Sequence, residues 1–256
     1  MNDRRVDERR ILENVEHNVH KSVLAIAREF EMGFEAVERI PLPAVTLFGS
    51  ARVREGHPVY EAARAAGRLF AEAGWSVITG GGPGAMEAAN LGARAVDDEL
   101  VPALAALAAV PDFHPSVTEW ARAGLAAADE LSRDAVTVGI PTWFYGHEPP
   151  NVFATHVAKY FRNALREDTL LHLCNGGVVF LPGAAGTVQE VFQDACENYY
   201  ADPASRAPMV LVGRAYWTQQ LPVWPLLSAL GDRRDMAGVL HLVDTVDEAV
   251  EVLGAG

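Results

Sequence analysis

The stretch Trp75-Ser76-Val77-Ile78-Thr79-Gly80-Gly81-Gly82-Pro83-Gly84-Ala85-Met86-Glu87-Ala88 reads as a short buried strand, a glycine turn and the start of a helix. A second stretch repeats that order. Gly177-Val178-Val179-Phe180-Leu181 is the strand, Pro182-Gly183-Ala184-Ala185-Gly186 the turn, and Thr187-Val188-Gln189-Glu190 opens the next helix. Strands that run straight through a turn into a helix must cross back over the sheet to reach the next strand, so their neighbours are parallel.

Working outward, Ala44-Val45-Thr46-Leu47-Phe48 is a strand stopped by Gly49-Ser50, and Tyr60–Ala73 has helical spacing closed by Gly74. A helix over Ala85–Ala95 precedes an alanine-rich stretch, 98–131. Pro111 and Pro115 break that stretch into two inserted helices. Ala135–Ile140 is the third strand. The loop 141–151 is rich in Pro and aromatic residues and lies at the strand end where function concentrates. A long helix is expected over 152–174, and a helix to about Tyr200 follows the second turn. Pro208–Val212 and Leu240–Val243 are further strands, with helices at Trp217–Leu230 and Val246–Leu253. The pattern predicts an α/β protein with a Rossmann-like, doubly wound parallel sheet, helices on both faces. Residues 1–40 form an N-terminal helical extension, with apolar positions from Ile11 to Phe34 at helical intervals, and 41–256 form a single domain.

Composition narrows the partners. The 256 residues carry 34 acidic and 21 basic side chains, a formal charge of −13, which repels nucleic acid and anionic membranes. A small phosphorylated ligand is still permitted, because the amides at a helix start favour an anion within one turn. Cys174 and Cys196 have no metal or disulfide spacing, and His147 and His156 have no ligand pattern around them, so no metal is assigned. The charged N-terminal stretch lacks the apolar core of a signal peptide, and a cytoplasmic location is expected.

Both glycine turns suit an oxyanion, since glycine lets backbone N–H groups approach and point inward. Neither is a P-loop, because no Gly-Lys-Ser/Thr occurs. The two turns differ at Glu190. Thr187 followed three residues later by Glu190 has the spacing of a capping box. Equally, the Glu190 carboxylate could face the ligand and stabilise positive charge on a ribose as a glycosidic bond breaks. Sequence leaves both open.

Phe48-Gly49-Ser50, Thr79–Ala88 and above all Pro182–Glu190, which resembles PGGxGTxxE, are similar to the lonely-guy (LOG) family. These Rossmann-like nucleotide-binding proteins are often misannotated as lysine decarboxylases. The resemblance implies a phosphoribohydrolase that releases free base and ribose 5-phosphate from a nucleoside 5′-monophosphate, without metal or organic cofactor, and a homodimer. It implies Arg166 and Glu190 as the catalytic pair, with Arg162 one turn earlier as a substitute. Gly49, Ser50, Gly80, Gly81, Gly82, Met86, Glu148, Gly183, Gly186 and Thr187 become the nucleotide- and phosphate-binding residues. Two departures stand out: Glu167 follows Arg166 where a lysine is usual, and Ala184 replaces the second glycine. An alanine there is strained if the position needs positive φ. The alternative is a non-catalytic carrier of a nucleotide or of the molybdenum cofactor. Decarboxylation is not expected, because pyridoxal phosphate requires a Schiff-base lysine and only Lys21 and Lys159 exist, both away from the turns.

Overall fold

The computed structural model describes residues 19–111, 115–142, 149–160, 163–234 and 236–255. Seven parallel strands form one sheet in the order β4-β3-β2-β1-β5-β6-β7. They are β1 (Ala44–Phe48), β2 (Ser76–Thr79), β3 (Thr137–Gly139), β4 (His156–Val157), β5 (Gly177–Phe180), β6 (Met209–Val212) and β7 (Leu240–Val243). The helices are α1 (Val19–Val37), α2 (Pro58–Glu72), α3 (Ala85–Arg94), α4 (Asp97–Ala109), α5 (Val117–Asp129), α6 (Asn163–His172), α7 (Ala185–Tyr200), α8 (Trp224–Gly231) and α9 (Val246–Leu253). The expected Rossmann-like fold is therefore present.

Alternation within the strands divides the core. Phe48, Ile78, Val178, Phe180 and Leu211 share one cluster with Leu170 of α6, Val191 of α7 and Trp217. Val45, Leu47, Val77, Val179 and Val210 turn the other way, towards Tyr60, Ala63 and Phe70 of α2, Ala88 of α3 and Ala249 of α9. Both faces are thus apolar, as a strand covered on both sides requires. The α2–α3 crossing is unusually close. A Cβ on Gly67 would lie 2.0 Å from the Ala89 carbonyl oxygen, and one on Gly92 would lie 2.0 Å from that of Arg64. The inserted α4 and α5 share a third cluster with Leu91 and Phe153.

Two sequence expectations are corrected. Of the helix expected over 152–174, the described part is Asn163–His172, and residues 156–157 are instead β4, an edge strand. Asn151 starts the difference by accepting the Phe153 N–H on its own Oδ1 at 3.2 Å, a local turn that competes with helix. Thr155 then bonds to β3 in both directions, through Thr137 N to Thr155 Oγ1 (2.9 Å) and Thr155 N to the Thr137 carbonyl (3.0 Å). The helix expected over Trp217–Leu230 is divided at Pro222 into a π-helical turn, Tyr216–Gln220, and α8. Of the N-terminal extension, residues 1–18 lie outside the described residues. α1 packs on the domain through Gly33 against Tyr160 and through Phe34 against His172, rings 5.4 Å apart. Among the described residues no helix is long and apolar enough to cross a membrane.

Candidate functional site

The strand order reverses at β1, which lies between β2 and β5. Crossovers leave the sheet in opposite directions on either side, so a crevice opens beyond the carboxyl ends of β1 and β5. Phe48 and Phe180 end those strands as register partners, with rings stacked 5.4 Å apart. Beyond them a cleft of about 280 Å³ is lined by Phe48, Gly49, Ser50, Arg52, Gly80, Gly82, Met86, Thr142, Arg166, Gly186, Thr187 and Glu190, among others. Nine of the residues singled out from the sequence thus meet in one cavity. Gly81 and Gly183 are not among its lining. Glu148, Arg162 and His147 lie outside the described residues.

One wall is the start of α7. Its N-cap is Ala184, with φ −110° and no side-chain cap, and the first bond back to it is Val188 N to the Ala184 carbonyl at 3.0 Å. The N–H groups of Ala185, Gly186 and Thr187 therefore have no acceptor within the helix. Two questions raised by the sequence are answered here. Ala184 does not have positive φ, so alanine carries no backbone strain there. Thr187 is the third helical residue rather than the cap, so Thr187 and Glu190 do not form a capping box. The glycine the turn needs is Gly183, where a Cβ would lie 2.2 Å from Thr187 Oγ1, and its carbonyl accepts the Tyr216 hydroxyl.

Arg166 and Glu190 face each other from α6 and α7, both under 10% exposed, with Nη1 3.4 Å from Oε1. The guanidinium lies over Gly80, where any Cβ would sit 2.9 Å from Nη1. Three further residues, which sequence reading did not assign to the site, hold it. Asn163 Oδ1 accepts Arg166 Nε at 3.1 Å and Nη2 at 2.7 Å, Glu167 Oε1 lies 3.3 Å from Nη2, and Gln189 Nε2 donates to Glu167 Oε2 at 2.6 Å. Asn163 and Glu167 stand one turn apart on α6, the only sequence signal available.

The opposite wall is the Gly80–Gly82 turn, held by Asn151. Its N–H donates to the Gly81 carbonyl (2.8 Å) and its Nδ2 to the Gly82 carbonyl (3.0 Å) and to Asn90 Oδ1 (3.2 Å), which also accepts the Thr79 hydroxyl (2.7 Å). Asn151 closes the Pro-rich loop that the sequence marked as functional, and here its part is to brace. Arg52, four residues past β1, is exposed at the cleft; among the described residues its guanidinium has no hydrogen-bond or ion-pair partner. Sequence reading did not assign it either, and a cation two residues after Ser50, in the turn that follows β1, is the signal that points to it.

Burial dominates the electrostatics. It pushes the Glu190 carboxyl up to about 8; Arg166 opposes the rise and the charge of Glu167 adds to it. Burial also pushes Glu87, which accepts the Tyr60 hydroxyl at 3.1 Å, up to about 7, helped by Glu55. Asp194, one turn beyond Glu190, is raised in the same direction by burial. Each group binds its proton more tightly folded than unfolded, so between about pH 4.5 and 8 the native state carries more protons. Stability is then highest at the acid side of that window and falls as pH rises through it, a tenfold gain in proton affinity on folding being worth about 1.4 kcal/mol per group. Calorimetric melting should give a higher midpoint at pH 6 than at pH 8.5, and the reverse order would contradict this assignment. No cluster of His, Cys, Asp and Glu able to hold a metal occurs among the described residues.

Fold and cleft together define a Rossmann-like α/β protein with a cleft at the switch point of the sheet. Residues 42–107 match the model of the SLOG cluster4 family. With the fold, this match supports the resemblance read from the glycine motifs, a LOG-like protein. The matched span runs from β1 into α4 and includes Ser50, Arg52 and Gly80–Gly84; it ends before Arg166 and Glu190. No curated protein matches the chain in sequence. Among solved structures, the molybdenum cofactor binding protein of Rippkaea orientalis is 16% identical over 85% of this chain and 97% of its own, with a TM-score of 0.51. The molybdenum cofactor carrier protein of Chlamydomonas reinhardtii is 19% identical over 84% and 100%, TM-score 0.51. TM1055, a structural-genomics target, is 20% identical over 83% and 99%, TM-score 0.52. At these identities the likeness is one of fold.

Proposed function

We propose that the protein is a phosphoribohydrolase that cleaves the N-glycosidic bond of a nucleoside 5′-monophosphate to free base and ribose 5-phosphate. The observation that carries this reading is the buried Arg166–Glu190 pair opening onto the same cleft as the uncapped start of α7. The 5′-phosphate sits at the free N–H groups of Ala185, Gly186 and Thr187, where the helix dipole favours negative charge. Ser50 and the Gly80–Gly82 turn line the opposite side. Departure of the base leaves positive charge on the ribose, and the Glu190 side chain lies where a carboxylate can stabilise it and orient water, as carboxylates do in glycosidases. Arg166 holds Glu190, with four of its five N–H donors directed at Asn163, Glu167 and Glu190. No metal or organic cofactor takes part in this scheme, and a cytoplasmic homodimer belongs to the same reading.

The rival is a carrier that binds its ligand without turnover, as the names of the two molybdenum cofactor proteins suggest for a fold of this kind. One experiment separates the two. Purified protein is incubated with adenosine, guanosine, cytidine, uridine and inosine monophosphates, and free base and ribose 5-phosphate are followed by chromatography. Release from at least one is expected, with nucleosides lacking the phosphate far poorer substrates. Binding of a nucleotide or of the molybdenum cofactor with no base released from any monophosphate selects the carrier.

A further inference from the structure

Glu167 is as buried as any charged residue among those described, at 1% exposure, and its position beside Arg166 has a consequence for Glu190. A single guanidinium lies between two buried carboxyl groups, 3.3 Å from Glu167 on Nη2 and 3.4 Å from Glu190 on Nη1. The Glu167 edge is the better organised. Its Oε1 also takes the Asn163 amide, its Oε2 takes Gln189 at 2.6 Å, and Asn163 Oδ1 grips the same side of Arg166. Among the described residues, Glu190 has only the longer contact to Nη1. Two negative charges cannot share one positive charge in a desolvated site without cost, and the less well solvated of the two keeps a proton.

We propose that Glu167 is a positioning residue that fixes Arg166 on its own side and so makes Glu190 enter the reaction as a carboxylic acid, the proton donor to the departing base. This rests on the hydrolase reading and deepens it. As the bond from C1′ to the base nitrogen breaks, its electron pair leaves with the base and the Glu190 proton goes to the base. The carboxylate left behind faces the ribosyl cation. Water then adds its oxygen to C1′ and returns one proton to Glu190, so the site is regenerated. Burial and the nearby charge of Glu167 both raise Glu190, in keeping with this. Among the described residues, the charged groups around it are Arg166 and Glu167 from α6, Asp194 one turn along α7, and Arg52 across the cleft.

The test reads the proton directly and does not depend on turnover. Full-length protein carrying 13C-carboxyl glutamate is titrated by NMR, and the Glu190 resonance is assigned by its loss in Glu190→Gln. The expected wild-type midpoint is at or above neutrality. Glu167→Gln keeps the shape and loses the charge, and should lower the midpoint by at least one pH unit, whereas Glu167→Asp should keep it within a few tenths. A role confined to folding would change the melting temperature in these variants and leave the midpoint where it was. A wild-type midpoint in the ordinary carboxylate range overturns the proposal whatever the variants do, and so does an unmoved midpoint in Glu167→Gln. Failure of the hydrolase reading shows separately, as absence of base release with the Glu190 proton still in place.

Discussion

Base release by Glu190→Gln is expected to fall at least about 100-fold, the loss seen when a group acting on charge or protons in the transition state is removed. Glutamine has nearly the same shape and still offers an oxygen to Arg166 Nη1, so the cleft keeps its walls. It can neither give a proton to the base nor carry the negative charge that the ribosyl cation needs. The free N–H groups of α7 are untouched, and nucleotide binding by calorimetry should stay within a few-fold of wild type. Melting should change little, because Arg166 keeps Asn163 and Glu167 as partners. Full activity in this variant would remove Glu190 from the chemistry. Loss of binding together with activity would mean that Glu190 holds the ligand.

Gly84→Ala should cost about 2–5 kcal/mol of stability. Gly84 is the N-cap of α3 with φ +72° and ψ −128°, a conformation an L side chain rarely adopts. Its added Cβ would also lie 2.5 Å from the Ser50 carbonyl oxygen and 2.7 Å from the Ala51 carbonyl carbon, both backbone atoms. That Ser50 carbonyl accepts the Ala85 N–H at 3.0 Å, the bond that ties the loop after β1 to the turn after β2. Strain and overpacking together are worth about 2–5 kcal/mol. For a chain of this size that lowers the melting temperature by roughly 5–15 °C. Nucleotide affinity should fall as well, since Ser50 and Gly82 line the cleft from this junction. The control is Gly186→Ala, where φ is not positive and nothing lies within 4 Å of the added Cβ. That variant should melt at or slightly above wild type, because alanine is the better helix former. Equal melting of the two variants would contradict the assignment.

The alternation of strands with helices, the parallel sheet and the two glycine turns were legible because each depends on neighbours in the chain. Apolar runs of four or five residues report strands buried on both faces, and glycine marks where the backbone must turn or be approached. Arg166 and Glu190 were legible only through the motif around them. β4 was not, since two exposed residues, His156 and Val157, carry no apolar pattern; their pairing is imposed by Thr137 and Thr155, 18 residues apart. Asn151 looked like loop composition, yet it reaches Gly82 and Asn90, 69 and 61 residues away.

The sequence by itself thus determined the class of fold and the two glycine turns that border the cleft, because strand burial and turn chemistry are local. Only the tertiary structure decided what the residues of the second turn do. Packing of Thr187 over Gly183 makes that glycine, and not position 184, the indispensable one. The cap falling on Ala184 removes the capping-box role of Glu190. The α6–α7 contact places one guanidinium between Glu167 and Glu190, and charge sharing of that kind is a property of three side chains meeting out of water, which no spacing along the chain records.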